Sequence, residues 1–203
     1  MTRLNPPILA LALLVLAPLA HAVPDAEGNL VSPDAPSVMD DPAMSARLNY
    51  NVGFERFEKA RQLEASNGPQ AQVRQGFIEA REKFRKAAEA DPTSKEAWNM
   101  IGYTSRRVGD YTESLQAYEA ALRLAPDYPE ATEYLAELYV VTGRLDDAKA
   151  SFAKLQKMSP AYAKVLLQSM RDWLAGPAKT STSVTAAQRE EFAKWVSAQK
   201  VPS

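Results

Sequence analysis

The chain has no cysteine, and its single histidine is His21, close to the amino terminus. Without thiols there is no disulfide framework, so stability must come from packing. Beyond residue 21 there is no thiolate or imidazole nucleophile, no usual zinc site, no covalent haem attachment and no serine-histidine-aspartate triad. A phosphate-cradling glycine loop is missing as well. Charge of one sign is also lacking, with 24 basic against 25 acidic side chains, which argues against a nucleic-acid binder. These absences predict no cofactor, no metal and no catalytic residue.

One long apolar run is present. Arg3, the stretch Ile8 to Ala17, the breaker Pro18 and the small residues Ala20 and Ala22 read as a cleavable signal peptide over residues 1–22. The run is too short to span a bilayer, and an uncleaved anchor is the competing reading. Cleavage after Ala22 removes Arg3 and His21 and moves the net charge from −1 to −2. No cysteine follows the cleavage site, so a lipid anchor is excluded, and no later segment is apolar enough to insert stably in a membrane. The expected location is periplasmic or secreted. Residues 23–40 carry Pro24, Pro33 and Pro36 and no basic residue, and read as an acidic arm without fixed structure.

From residue 41 onward the sequence repeats. Pro92, Pro126 and Pro160 stand 34 residues apart, and the same spacing relates Phe84, Tyr118 and Phe152. Two further combs run Ala80, Ser114, Ala148 and Ala87, Ala121, Leu155. A period of this length means supersecondary units that bury their apolar faces only against neighbours. Asp41 before Pro42 opens a first helix to about Glu64, and a partner helix covers roughly 70–90. Gly53 lies 27 residues before Ala80 where the repeat allows twelve, so this unit carries an insertion of about fifteen residues. Thr93 with Glu96, Asp127 with Glu130 and Thr185 with Gln188 have the spacing of capping boxes, and Gly109 and Gly143 suit left-handed helix ends. Helices are expected near 95–107, 111–124, 129–141, 145–158 and 161–174, and again from 185. Asp146 and Asp147 sit in a first helical turn, where carboxylates offset the helix dipole, so they read as structural rather than metal ligands.

The pattern resembles the tetratricopeptide repeat, most clearly from Lys95 to Tyr162. Trp98, Ile101, Gly102, Gly109, Ser114, Tyr118, Ala121 and Pro126 match that family's positions in one copy. Leu135, Ala136, Tyr139, Gly143, Ala148, Phe152 and Pro160 match in the next. Ser105 replaces a tyrosine in the first copy, Thr132 a tryptophan in the second, and Leu155 an alanine. The resemblance implies an all-α, right-handed superhelical solenoid of helix-turn-helix units over 41–176. It would comprise a degenerate unit at 41–94, repeats at 95–128 and 129–162, a capping helix at 161–174, a linker at 177–184 and a terminal helix at 185–199.

In that family the first helix of each unit lines a concave groove. The resemblance therefore points to Asn99, Tyr103, Arg106, Arg107, Glu130, Glu133, Tyr134, Glu137 and Arg171 as a protein- or peptide-binding set, with Glu96, Met100, Val140, Val141, Lys164 and Leu167 also facing outward. Tyr103 beside Arg106 and Arg107 would suit a carboxylate or a chain terminus. The lysine and asparagine clamp of chaperone-binding members is not reproduced. The implied function is a non-enzymatic adaptor holding another envelope protein or peptide, with oligomeric state left open. The alternatives are an accessory subunit of an envelope machine, for cytochrome maturation, secretion or cell-wall assembly, docking by its convex face or its Trp195 helix, and a cell-envelope hydrolase. Phe192, Trp195 and Val196 would otherwise fold back as a lid on the last apolar face.

Overall fold

Combs at a 34-residue period require that each ring meet a small residue of its own hairpin and then a neighbouring layer, and the computed structural model shows that arrangement. It describes residues 41–176 and 184–200, together with Val23–Pro24 and Leu30–Val31. The expected signal peptide, most of the acidic arm and most of the linker after Gly176 lie outside the described residues. The chain divides into two units, Met1–Val38 and Met39–Ser203. In the first, β1 (Val23–Pro24) and β2 (Leu30–Val31) pair antiparallel, with Val23 opposite Val31. The ladder lies within the arm read as lacking fixed structure, and its opposed pair, Val23 and Val31, is of the β-branched type that favours extended backbone.

The second unit contains eight helices among the described residues: α1 (Pro42–Ala65), α2 (Gln70–Ala90), α3 (Lys95–Val108), α4 (Tyr111–Leu124), α5 (Pro129–Val141), α6 (Leu145–Met158), α7 (Pro160–Ala175) and α8 (Ala186–Ala198). Asp41 caps α1 by accepting from the Ala43 amide at 3.0 Å, with Pro42 behind it. Gly109 and Gly143 take φ of 85° and 80° at the ends of α3 and α5, conformations that a side chain resists.

Two expected capping boxes form differently. At α3 the cap is Ser94, which accepts from Ala97 N, because Asp91 draws both the amide and the hydroxyl of Thr93 into the preceding turn. At α5 the cap is Tyr128, with no side-chain cap bond, and Pro129 occupies the first turn. The box at α8 is complete, with Thr185 and Gln188 each accepting from the other's backbone amide.

The combs are core. Ala80, Phe84, Ser114, Tyr118, Ala121, Ala148, Phe152 and Leu155 are all fully buried. Gly102 lies under Tyr118 so closely that a Cβ there would stand 2.6 Å from the ring, and Ser114 Oγ donates to the Gly102 carbonyl at 2.8 Å. Consecutive helices pack in pairs, and the first helices of successive units also touch, α3 with α5 and α5 with α7. That places the first helices on the inner side of the stack and α4 and α6 on the outer side. The alternating order is that of a helix-turn-helix solenoid.

At the end of the stack α8 closes the last face. Phe192 and Val196 are buried with Phe152, Leu166, Leu167 and Met170. Arg189 donates to the carbonyls of Trp173, Leu174 and Gly176 at 2.8 to 2.9 Å, satisfying the end of α7 that its own helix cannot.

Candidate protein-binding site

The inner wall is built on α1, α3, α5 and α7, and its most continuous feature is aromatic. Tyr50 and Phe54 stack on α1, Phe54 contacts Phe57, Phe57 meets Tyr103 of α3 edge-on at 5.1 Å, and Tyr103 meets Tyr134 of α5 at 4.9 Å. Tyr103 and Tyr134 are both half-buried, so each ring is fixed by packing while part of it faces solvent. Phe54 is 43% exposed. Rings held this way offer apolar area at little further entropic cost to a partner.

Charges on the wall are mostly engaged with one another. Arg106 pairs with Glu137 at 2.5 Å, joining α3 to α5, and Arg107 pairs with Glu64, joining α3 to α1. Ser169 of α7 donates to the other Glu137 oxygen at 2.5 Å, so one carboxylate ties three successive layers. The two arginines expected to greet a partner's carboxylate are thus committed internally, which corrects that reading. Arg106 and the Tyr118 hydroxyl are buried side by side without a well-formed hydrogen bond to each other. Burial holds the Tyr118 hydroxyl well above its ordinary range, and the Arg106 charge only partly opposes this.

Several positions expected to face outward do not. Asn99 and Glu133 are each 1% exposed, because α3 and α5 lie side by side and the equivalent position of each falls within the wall. Met100 joins the apolar cluster of α1 to α4, and Val140 and Leu167 join that of α5 to α8. Glu133 stands one turn from Glu137, and burial first, then the Glu137 charge, pushes its carboxyl far above the usual range. Its Oε1 has no hydrogen-bond partner. Arg171 and Lys164 are exposed, but Arg171 projects from the side of α7 roughly opposite Ser169, so it does not join the Arg106–Glu137 cluster. Glu96, Val141 and Glu130 remain accessible or half-buried. A cavity of about 130 Å³ opens among Arg106, Glu137, Val140, Val141, Ser169 and Trp173.

Sequence reasoning missed Tyr50, Tyr162 and Ser169 as parts of this wall. Tyr162 could have been found, since it stands one period after Tyr128. Among the described residues no cluster of three or more histidine, cysteine or acidic side chains could hold a metal, and no helix is long and apolar enough to cross a membrane.

An alternating stack of this kind, with its first helices lining the inner side, defines a helical-repeat scaffold. The tetratricopeptide repeat profile matches residues 70–129 and again 99–163. The chain therefore belongs to the tetratricopeptide repeat proteins, protein-interaction scaffolds that are generally not enzymes. Among solved structures it is similar to the MamA protein, at 17% identity and a TM-score of 0.46, covering 75% of this chain and 88% of that one. It is also similar to a thermophilic tetratricopeptide protein of Thermus thermophilus, at 21% identity and a TM-score of 0.43, covering 68% and 83%. No curated protein matches the chain.

Proposed function

We propose that the chain is an exported, non-enzymatic adaptor that holds a protein or peptide of the cell envelope against the wall formed by α3 and α5. The observation that carries this reading is the pair Tyr103 and Tyr134, packed at 4.9 Å on adjacent first helices and each only half-buried. Affinity comes from covering those rings, and orientation from Glu96 and Glu130 at the amino-terminal edge of the same helices. Export to the periplasm is supported by Arg3, the apolar stretch from Ile8 and the small residues Ala20 and Ala22. Docking through the Trp195 helix is disfavoured, since Phe192 and Val196 of that helix are already buried and Trp195 packs edge-on against Phe152 at 5.6 Å.

The test is capture from envelope extract by the full chain and by a Tyr103→Ala, Tyr134→Ala double variant of confirmed helicity. Loss of the captured protein from the variant supports the proposal, and equal capture removes it.

A further inference from the structure

One period after Arg106 and Arg107, the inner wall carries Val140 and Val141. In the earlier layer both arginines reach across to neighbouring helices, Arg106 to Glu137 on α5 and Arg107 to Glu64 on α1. A valine has too few carbons to do the same. Where α5 meets α7, the short pair borders the cavity of about 130 Å³, whose α7 side is formed by Leu166, Ser169 and Trp173. Val140 and Leu166 are buried beneath it, whereas Val141 and Trp173 keep part of their surface accessible. Trp173 lies edge-on to Phe192 at 6.0 Å and under the Arg189 guanidinium at 4.4 Å, so that wall is held in place by α8.

The charges on the rim are matched. Glu137 takes Arg106 on one oxygen and the Ser169 hydroxyl on the other, each at 2.5 Å. Arg106 Nε has no hydrogen-bond partner, but it is sealed from solvent and closed to an occupant. A carboxylate entering this space would lose water and meet the Glu137 charge, and an ammonium would meet that of Arg106. An apolar group sheds no polar hydration and gains by leaving water. Since an apolar cavity of roughly 150 Å³ takes up benzene, about 130 Å³ suits one side chain between leucine and phenylalanine in bulk.

The space also adjoins the ring pair. The Arg106 guanidinium lies 5.3 Å from the centre of the Tyr103 ring, and Glu137 stands one turn beyond Tyr134 on α5. The geometry points to an anchor pocket at the seam of α5 and α7 that takes one uncharged, apolar side chain of the partner segment lying across Tyr103 and Tyr134. This rests on the groove reading above and adds to it the chemistry of the partner's anchor residue.

The test selects peptides from a random display library with the full chain. Synthetic versions of the most enriched peptide, with leucine, phenylalanine, alanine, aspartate or lysine at its shared apolar position, are then compared by fluorescence anisotropy. Alanine there should weaken binding about tenfold relative to leucine, and aspartate or lysine by more. Val141→Phe, which fills the space, should abolish the advantage of leucine over alanine, and Val141→Ala, which widens it, should move the preference toward phenylalanine. A damaged fold would weaken every version alike, so the change of preference is the readout. Selected peptides without a shared apolar position, or a leucine advantage that survives Val141→Phe, would overturn the anchor, and the groove reading stands if binding still depends on Tyr103 and Tyr134. If no peptide is enriched, or none depends on those rings, both fall.

Discussion

The α1–α2 hairpin and the α3–α4 hairpin make the same contact from different lengths of chain. Gly53 lies under Phe84 as Gly102 lies under Tyr118, yet the first pair is separated by fifteen more residues. The extra residues lengthen both helices, to 24 and 21 residues against 14 and 14. They do so without moving the ring from its glycine. Helix length in this solenoid is therefore set by where the turn residues stand, and layer packing by the small-residue and ring combs. The fit differs in tightness: a Cβ would approach the ring to 3.0 Å at Gly53 but to 2.6 Å at Gly102.

That comparison can be broken most severely at the rings. Tyr118→Ala and Phe84→Ala should each lower unfolding free energy by about 3–5 kcal/mol in denaturant titrations, despite their different spacing from glycine. A much smaller loss for Phe84 would mean that the long hairpin does not share the packing rule. The glycines come next. Gly102→Ala should cost about 1–3 kcal/mol by overpacking, whereas Gly53→Ala should lie within about 1 kcal/mol of the parent, since helix propensity offsets a milder clash.

A fifth substitution, at Glu133, sharpens the contrast between the wall and the core. Glu133 is raised in the folded chain, so the unfolded chain releases its proton first, and stability falls as pH climbs from the ordinary carboxylate range toward the folded value. Glu133→Gln should remove that loss, stabilising the protein by roughly 1–2 kcal/mol near neutral pH and by less at about pH 4. A gain independent of pH would show that Glu133 is ionised in the fold. The smallest effect belongs to Arg107→Gln, which cuts the tie from α3 to Glu64. Both partners are partly solvated, so the expected cost is below about 1 kcal/mol in thermal unfolding.

The helices were legible because their ends carry local signals, such as Asp41 before Pro42, Gly109, Gly143 and Thr185 with Gln188. The cap at Ser94 was not, since two hydroxyl residues adjoin and only the Asp91 turn decides between them. The wall was legible as a set of first-helix positions but not in its chemistry. Arg106 with Glu137 and Arg107 with Glu64 are separated by 31 and 43 residues, and a single helix face cannot reveal that each cation is already matched. Asn99 and Glu133 were misplaced for a related reason: their burial is imposed by the neighbouring layers.

The groove proposal puts the partner on the inner wall, not the outer one. Photo-crosslinking with benzoylphenylalanine at Tyr103 on α3, and separately at Tyr111, which is 41% exposed on the outer helix α4, tests it in the producing cell. A discrete adduct from position 103 and none from 111 is the predicted result; an adduct from 111 alone would contradict it.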